Sequence, residues 1–106
     1  MSESDPNGVG QHEPGSKLDA GKIEAGLLID FGRALLAVAE IGTFGANKYT
    51  RQGWEKVPDG QRRYTDAMMR HLLKEKIEAN DPDSGLLHAS HAAWNALARL
   101  ELLLRE

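Results

Sequence analysis

From Leu86 to Leu104 apolar residues recur as Leu86, Ala89, Ala93, Leu97, Leu100 and Leu104, at spacings of three and four that an α-helix brings onto a single stripe. Leu87, Trp94, Leu102 and Leu103 widen the apolar surface beyond that stripe. A surface helix of a small monomer shows one stripe, so the excess predicts that the C-terminal half of this helix packs in a subunit interface of a homo-oligomer. Aromatics are only 6% of the 106 residues, against 41% for all apolar types, so any core is built from Leu, Ile, Val and Ala. That composition favours helices over a β-sandwich.

Two further helices precede this one. Asp30 suits an N-cap, and Phe31, Ala34, Leu35, Val38 and Ile41 follow with helical spacing, giving helix one from about Phe31 to about Ala46. Gly42 and Gly45 near its end either stop the helix or admit a close neighbour. Asp59 is the expected cap of helix two, whose stripe of Tyr64, Ala67, Met68, His71 and Leu72 ends near Glu78. The run Asn80-Asp81-Pro82-Asp83-Ser84-Gly85 breaks it, and Asp83 or Ser84 caps helix three, which continues to the C-terminus. The expected fold is all-α: three main helices in a small bundle, with a long aromatic loop carrying Tyr49 and Trp54 between helices one and two, completed by oligomerisation. Residues 1–16, rich in Ser, Asp, Asn, Gly and Pro, are expected to be a flexible tail, with His12 solvated in it, and residues 17–106 a single domain ending its leading loop on Leu27-Leu28-Ile29.

Composition narrows the partners. Sixteen acidic residues against thirteen basic give a formal charge of -3, which provides no long-range attraction to a polymeric nucleic-acid backbone. The absence of cysteine excludes disulfides, thiolate catalysis and cysteine zinc sites. No apolar run approaches the roughly 20 residues that cross a bilayer, so no membrane is expected and the cytoplasm is the default location. Walker, dinucleotide-binding and serine-elbow motifs are absent from the sequence.

Polar chemistry concentrates on helices two and three. His88 and Asn95 nearly eclipse on helix three and His91 lies about 60° round on the same side, forming one polar patch on an apolar helix. Such a patch is either a metal or phosphate site or a set of buried groups bonded to one another. If helices two and three run antiparallel, Asp66 and His71 face that patch, and converging carboxylates and imidazoles suit a divalent metal. Asp66 and Arg70 also have the spacing of an ordinary intrahelical ion pair. Asp81 and Asp83 read as turn and cap residues, and Glu75 and Glu78 as a solvated face. Lys17, Lys22, Lys48, Arg63 and Arg70 supply cations for a polyphosphate, while Tyr49 and Trp54 offer rings for a base.

Three segments together carry a resemblance: Thr43-Phe44-Gly45-Ala46-Asn47-Lys48-Tyr49 followed by Trp54; Arg63-Tyr64-Thr65-Asp66-Ala67 with Arg70-His71-Leu72; and Asp81-Pro82-Asp83-Ser84-Gly85-Leu86 with His88, His91, Ala92, Ala93, Trp94, Asn95, Ala96 and Leu97. From Lys17 onward the chain resembles the dATP/dGTP diphosphohydrolase N-terminal family, found often in phage genomes and similar in architecture to MazG-type all-α nucleotide pyrophosphohydrolases. The resemblance implies cleavage of a purine deoxynucleoside triphosphate to monophosphate and pyrophosphate, dependent on Mg²⁺ or Mn²⁺, in a host cytoplasm if the gene is phage-borne. It implies catalytic roles for Asp66, His71, His88 and His91, and metal binding by Asp66, Asp81, Asp83, His88 and His91. Lys17, Lys48, Tyr49, Trp54, Arg63, Arg70 and Asn95 would hold substrate. MazG-type enzymes carry paired acidic residues on two helices, whereas this chain has histidines and asparagine where the second pair falls, which makes its metal site less anionic. A non-catalytic module that binds or sequesters a nucleotide is the alternative expectation.

Overall fold

The computed structural model describes residues 3–106, so the first two residues of the expected tail lie outside the described residues. It contains three α-helices: α1 (Gly32–Lys48), α2 (Gly60–Lys74) and α3 (His88–Leu104). Short 3-10 segments, Ala25–Phe31 and Gly53–Lys56, precede α1 and α2. Among the described residues the sole β pairing is an isolated antiparallel bridge between Asn80 and Leu87. The all-α expectation is met. No described helix is long and apolar enough to cross a membrane.

Between Asp30 and Phe31 the chain divides into two compact units. The first is made of turns, several of which meet the Asp5 carboxylate: it accepts the backbone N–H groups of Asn7 and Lys17, each at 2.7 Å. Those donors hold the Asp5 carboxyl below its usual range. Leu27, Leu28 and Ile29, expected to anchor a loop, instead form the exposed 3-10 turn.

The second unit carries the helices. α1 begins after the 3-10 segment, so Asp30 lies inside that segment and makes no cap; the residue at the cap position is Phe31. Asp59 does stand at the N-cap of α2, but in the left-handed region with φ 55°, and its carboxylate accepts from Arg62 Nε at 2.5 Å rather than from a helix N–H. Aspartate is among the few side chains that tolerate that backbone. α2 stops at Lys74, short of the expected Glu78, because the following residues unwind into turns. α3 starts at His88, later than Asp83 or Ser84 capping would require.

α3 buries its histidine and alanine side rather than its leucine stripe. His88, Ser90, His91, Ala92, Asn95 and Ala98 are its buried residues. The leucine stripe points out of the protomer: Ala89 and Ala93 are exposed, and Leu97, Leu100 and Leu104 are 50%, 47% and 71% exposed. By helical geometry the two faces are opposed. The physical reason is packing and satisfaction: small residues and bonded polar side chains suit a close helix pair, and each buried imidazole finds a partner, His88 in His71 of α2 and His91 in Ser84 of the connecting loop. Among the described residues no buried side-chain nitrogen or oxygen lacks a hydrogen-bond partner. The apolar core is correspondingly small, comprising Ile41, Ala92 and Ala98. Helix one's expected stripe is likewise buried only at Ile41.

Candidate functional site

The loop between α2 and α3 sets the geometry. Asp81 N–H donates to Leu86 C=O at 2.7 Å, Gly85 N–H to Asp81 C=O at 2.8 Å and His88 N–H to Ala79 C=O at 2.9 Å. Gly85 sits at φ +73°, a conformation that side chains rarely adopt, and this lets the chain fold back on itself in so few residues. The Asp81 carboxylate accepts the Ser84 N–H at 2.9 Å, an Asx-type turn, while the Ser84 hydroxyl accepts the Leu86 N–H at 3.1 Å. Asp81 is thereby fixed at the end of the bundle, and His88 at the first turn of α3.

Three imidazoles meet there. His71 of α2 faces His88 of α3 with their Nδ1 atoms 2.8 Å apart. His91, one turn on, stacks flat on His71 at 4.4 Å between ring centroids and 7° between planes. Glu78 Oε1 lies 3.1 Å from His88 Nε2, reaching back over the loop to a ring with no exposed surface. His91 Nε2 lies 2.6 Å from the Ser84 hydroxyl and 3.7 Å from Asp81 Oδ2. Because Ser84 and Asp81 both meet Nε2, the imidazole cannot relay a proton from one to the other, and the trio is not arranged as a serine-nucleophile triad.

Burial, reinforced by the neighbouring His91 and His88, pushes the His71 pKa down to about 4. His91 is lowered too, chiefly by burial, with Asp81 opposing. Burial works against ionisation of Asp81, but the Ser84 N–H and hydroxyl and the adjacent imidazoles outweigh it and hold the carboxyl below its usual range. At neutral pH the end of the bundle therefore offers neutral imidazole nitrogens beside an ionised carboxylate. His71, Asp81 and His88 bring one ligand atom each to within 4.8 Å of one another, a group able to share one metal ion.

An open cavity of about 910 Å³ adjoins this cluster. Of the residues singled out from the sequence, Lys48, Tyr49, Trp54, Arg63, Asp66, Arg70, His71, Asp81, Asp83, His91 and Asn95 line it. His88 does not; it is fully buried behind His71. Lys17 belongs to the first unit. The expected Asp66–Arg70 pair is not made: Asp66 meets Arg62 at 3.3 Å, which leaves Arg70 without an ion-pair partner among the described residues. Lys48 donates to Asp83 at 2.7 Å across the cavity mouth and lies over the Phe44 and Tyr49 rings. Asn95 donates to the His91 C=O at 2.8 Å, a bond within α3.

The aromatic wall is built from residues that pack on one another. Trp94 of α3 makes edge contacts with both Trp54 and Tyr64, and the Tyr64 hydroxyl donates to the Trp54 C=O at 2.7 Å. A Cβ on Gly42 would lie 3.3 Å from the Trp94 indole nitrogen, so this glycine admits a close neighbour inside α1 rather than ending the helix. Tyr49, by contrast, is 73% exposed.

Sequence reasoning missed Glu78, Ser84, Arg51 and Arg62 as members of this region. Glu78 and His88 are ten residues apart across an irregular loop, a spacing no helical or strand period flags. Ser84 was expected as a cap; it supports the site, and Arg62 lines it, because of the way the loop and the N-terminus of α2 turn.

A relative from Salmonella phage PMBT28 described as a dATP/dGTP diphosphohydrolase is 38% identical over 80 residues, covering 74% of this chain and 26% of the relative. The chain thus spans about a quarter of that protein. No solved structure matches. A model of the family described as "dATP/dGTP diphosphohydrolase, N-terminal" matches residues 12–106, and the chain belongs to that family.

Proposed function

We propose that this chain hydrolyses a purine deoxynucleoside triphosphate of the dATP/dGTP type to monophosphate and pyrophosphate, with a divalent metal, at the cavity between α1, α2 and the α2–α3 loop. The observation that carries this reading is one cavity lined by Lys48, Arg51, Arg62, Arg63 and Arg70 and ending on His71 and Asp81. Guanidinium and ammonium groups suit a polyphosphate, and imidazoles with a carboxylate suit a metal. The phage relative's description points the same way.

In this reading Arg63 and Arg70 hold the pyrophosphate that leaves, because both project from α2 into the cavity. Lys48, on the opposite side and paired with Asp83, exchanges that carboxylate for phosphate oxygen as substrate enters. Tyr49, exposed at the rim, stacks on the base, and Trp54 closes the wall behind it. His71 and Asp81 would hold the metal together with His88. A bound dication lowers the pKa of water and stabilises charge on the phosphates. His91, its pKa lowered chiefly by burial and its Nε2 beside the Ser84 hydroxyl, would accept a proton from a water so activated. The exposed leucines of α3 are proposed to pair with a second copy of the chain, as the homo-oligomer expectation requires.

The deciding experiment is to incubate the chelator-stripped protein with each common dNTP and NTP, with Mg²⁺, Mn²⁺ or EDTA, and to identify products by mass. Monophosphate and pyrophosphate formed only with metal support the hydrolase reading. Intact nucleotide that nevertheless co-purifies through gel filtration would replace it with a sequestering module, which the same cations and rings would serve.

A further inference from the structure

We propose that His71, His88 and Asp81 form a resident site for an imidazole-seeking transition-metal dication of the Zn²⁺ class, and that Glu78 is the positioning residue that presents the His88 ligand atom.

The argument begins with proton placement. Glu78 Oε1 is 3.1 Å from His88 Nε2, so the carboxylate takes that ring's N–H and leaves the Nδ1 lone pair pointing inward. That lone pair faces Nδ1 of His71 at 2.8 Å. Without an ion the contact holds only if His71 donates its proton. A dication in that position removes the need: His71 moves its proton from Nδ1 to Nε2, staying neutral, and both Nδ1 atoms become ligands. Asp81, tied down by the Ser84 N–H, completes the set from the loop. Carboxylate, histidine and ion in series is the arrangement by which proteins fix a ligating tautomer.

Donor chemistry then selects the ion. Mg²⁺ demands oxygen ligands and keeps its waters, whereas imidazole favours Zn²⁺, Fe²⁺, Ni²⁺ and Cu²⁺. Two imidazoles and one carboxylate make a poor magnesium site. The divalent metal that the hydrolase reading needs at these three residues would then be of this class, and any Mg²⁺ or Mn²⁺ would enter separately with the substrate phosphates. The inference deepens the hydrolase reading, because His71 and Asp81 also line the cavity, yet metal binding is measurable without turnover.

Calorimetric titration of the chelator-stripped full chain with Zn²⁺, Co²⁺ and Mg²⁺ tests it, with the visible spectrum of the Co²⁺ form as a second readout. One equivalent of Zn²⁺ should bind at least about 100-fold more tightly than Mg²⁺. Glu78→Gln should weaken Zn²⁺ about 10- to 100-fold and alter the Co²⁺ spectrum, while leaving the metal-free melting curve nearly unchanged. His71→Ala should abolish binding, and His12→Ala in the first unit should leave it intact. Should His88→Ala fail to fold, Glu78→Gln and Asp81→Asn carry the test. Zn²⁺ bound no better than Mg²⁺, or bound equally by His71→Ala, overturns the proposal. Tight Zn²⁺ binding without hydrolysis sustains it and removes the hydrolase reading; hydrolysis with Mg²⁺ and no tight Zn²⁺ does the reverse.

Discussion

Glu78 and His88 are joined at 3.1 Å across the α2–α3 loop, and the far nitrogen of the same buried ring faces His71 at 2.8 Å. This chain of three side chains links the end of one helix, a loop and the start of the next. It makes the His88 position a structural support as well as a site residue, and several expectations follow from that double role.

His88→Ala should destabilise the metal-free protein by about 2–4 kcal/mol, combining the cavity left by a fully buried ring with the loss of partners for His71 and Glu78. Urea denaturation measures this; a loss under about 0.5 kcal/mol would show that the surroundings collapse without cost.

The metal-free protein in EDTA should lose stability as pH falls from about 6.5 toward 4. His71 is lowered by burial to about 4 when folded, while the unfolded ring titrates near 6.5, so below that value protons favour the unfolded chain. Above pH 6.5 this group contributes no slope. Melting temperature against pH for the protein and for His71→Gln separates the effect, since the variant should show a shallower decline.

Gly85→Ala should cost about 1–2 kcal/mol, because the turn that returns the chain toward His88 needs φ +73° at that residue and a Cβ there meets no steric obstacle but does strain the backbone. Thermal melts should show a drop of several degrees, and nucleotide or metal affinity should fall with it if the loop positions Asp81.

Arg70→Ala should weaken nucleotide binding about tenfold with little effect on folding, as its guanidinium lines the cavity without an ion-pair partner among the described residues. Arg62→Ala, whose guanidinium is already engaged by Asp59 and Asp66, should do less. Fluorescence titration at two salt concentrations distinguishes phosphate contact from a change of fold, since only the former is screened.

Leu97→Gln with Leu100→Gln should dissolve any self-association without unfolding the protomer, both side chains being about half exposed on the outer face of α3. Sedimentation velocity at several concentrations reads the outcome. A particle of unchanged mass would place the subunit contact away from this face of α3.

Periodicity, helix-breaking residues and composition were enough to determine that the chain is all-α, roughly where each helix lies, and that His88, His91 and Asn95 share one side of the last helix. These are properties of local spacing, which a sequence states directly. Which side of α3 faces inward was decided only by tertiary structure. The protomer buries the histidine and alanine side of α3 rather than its leucine stripe, because imidazoles whose nitrogens are hydrogen-bonded to His71, Glu78 and Ser84 cost little to bury. The Glu78–His88 contact, the shared nitrogen between Ser84 and Asp81, and the diversion of Asp66 to Arg62 were likewise invisible beforehand. Each depends on where an irregular loop or a helix end turns, and that follows from backbone hydrogen bonds closing in three dimensions rather than from any period along the chain.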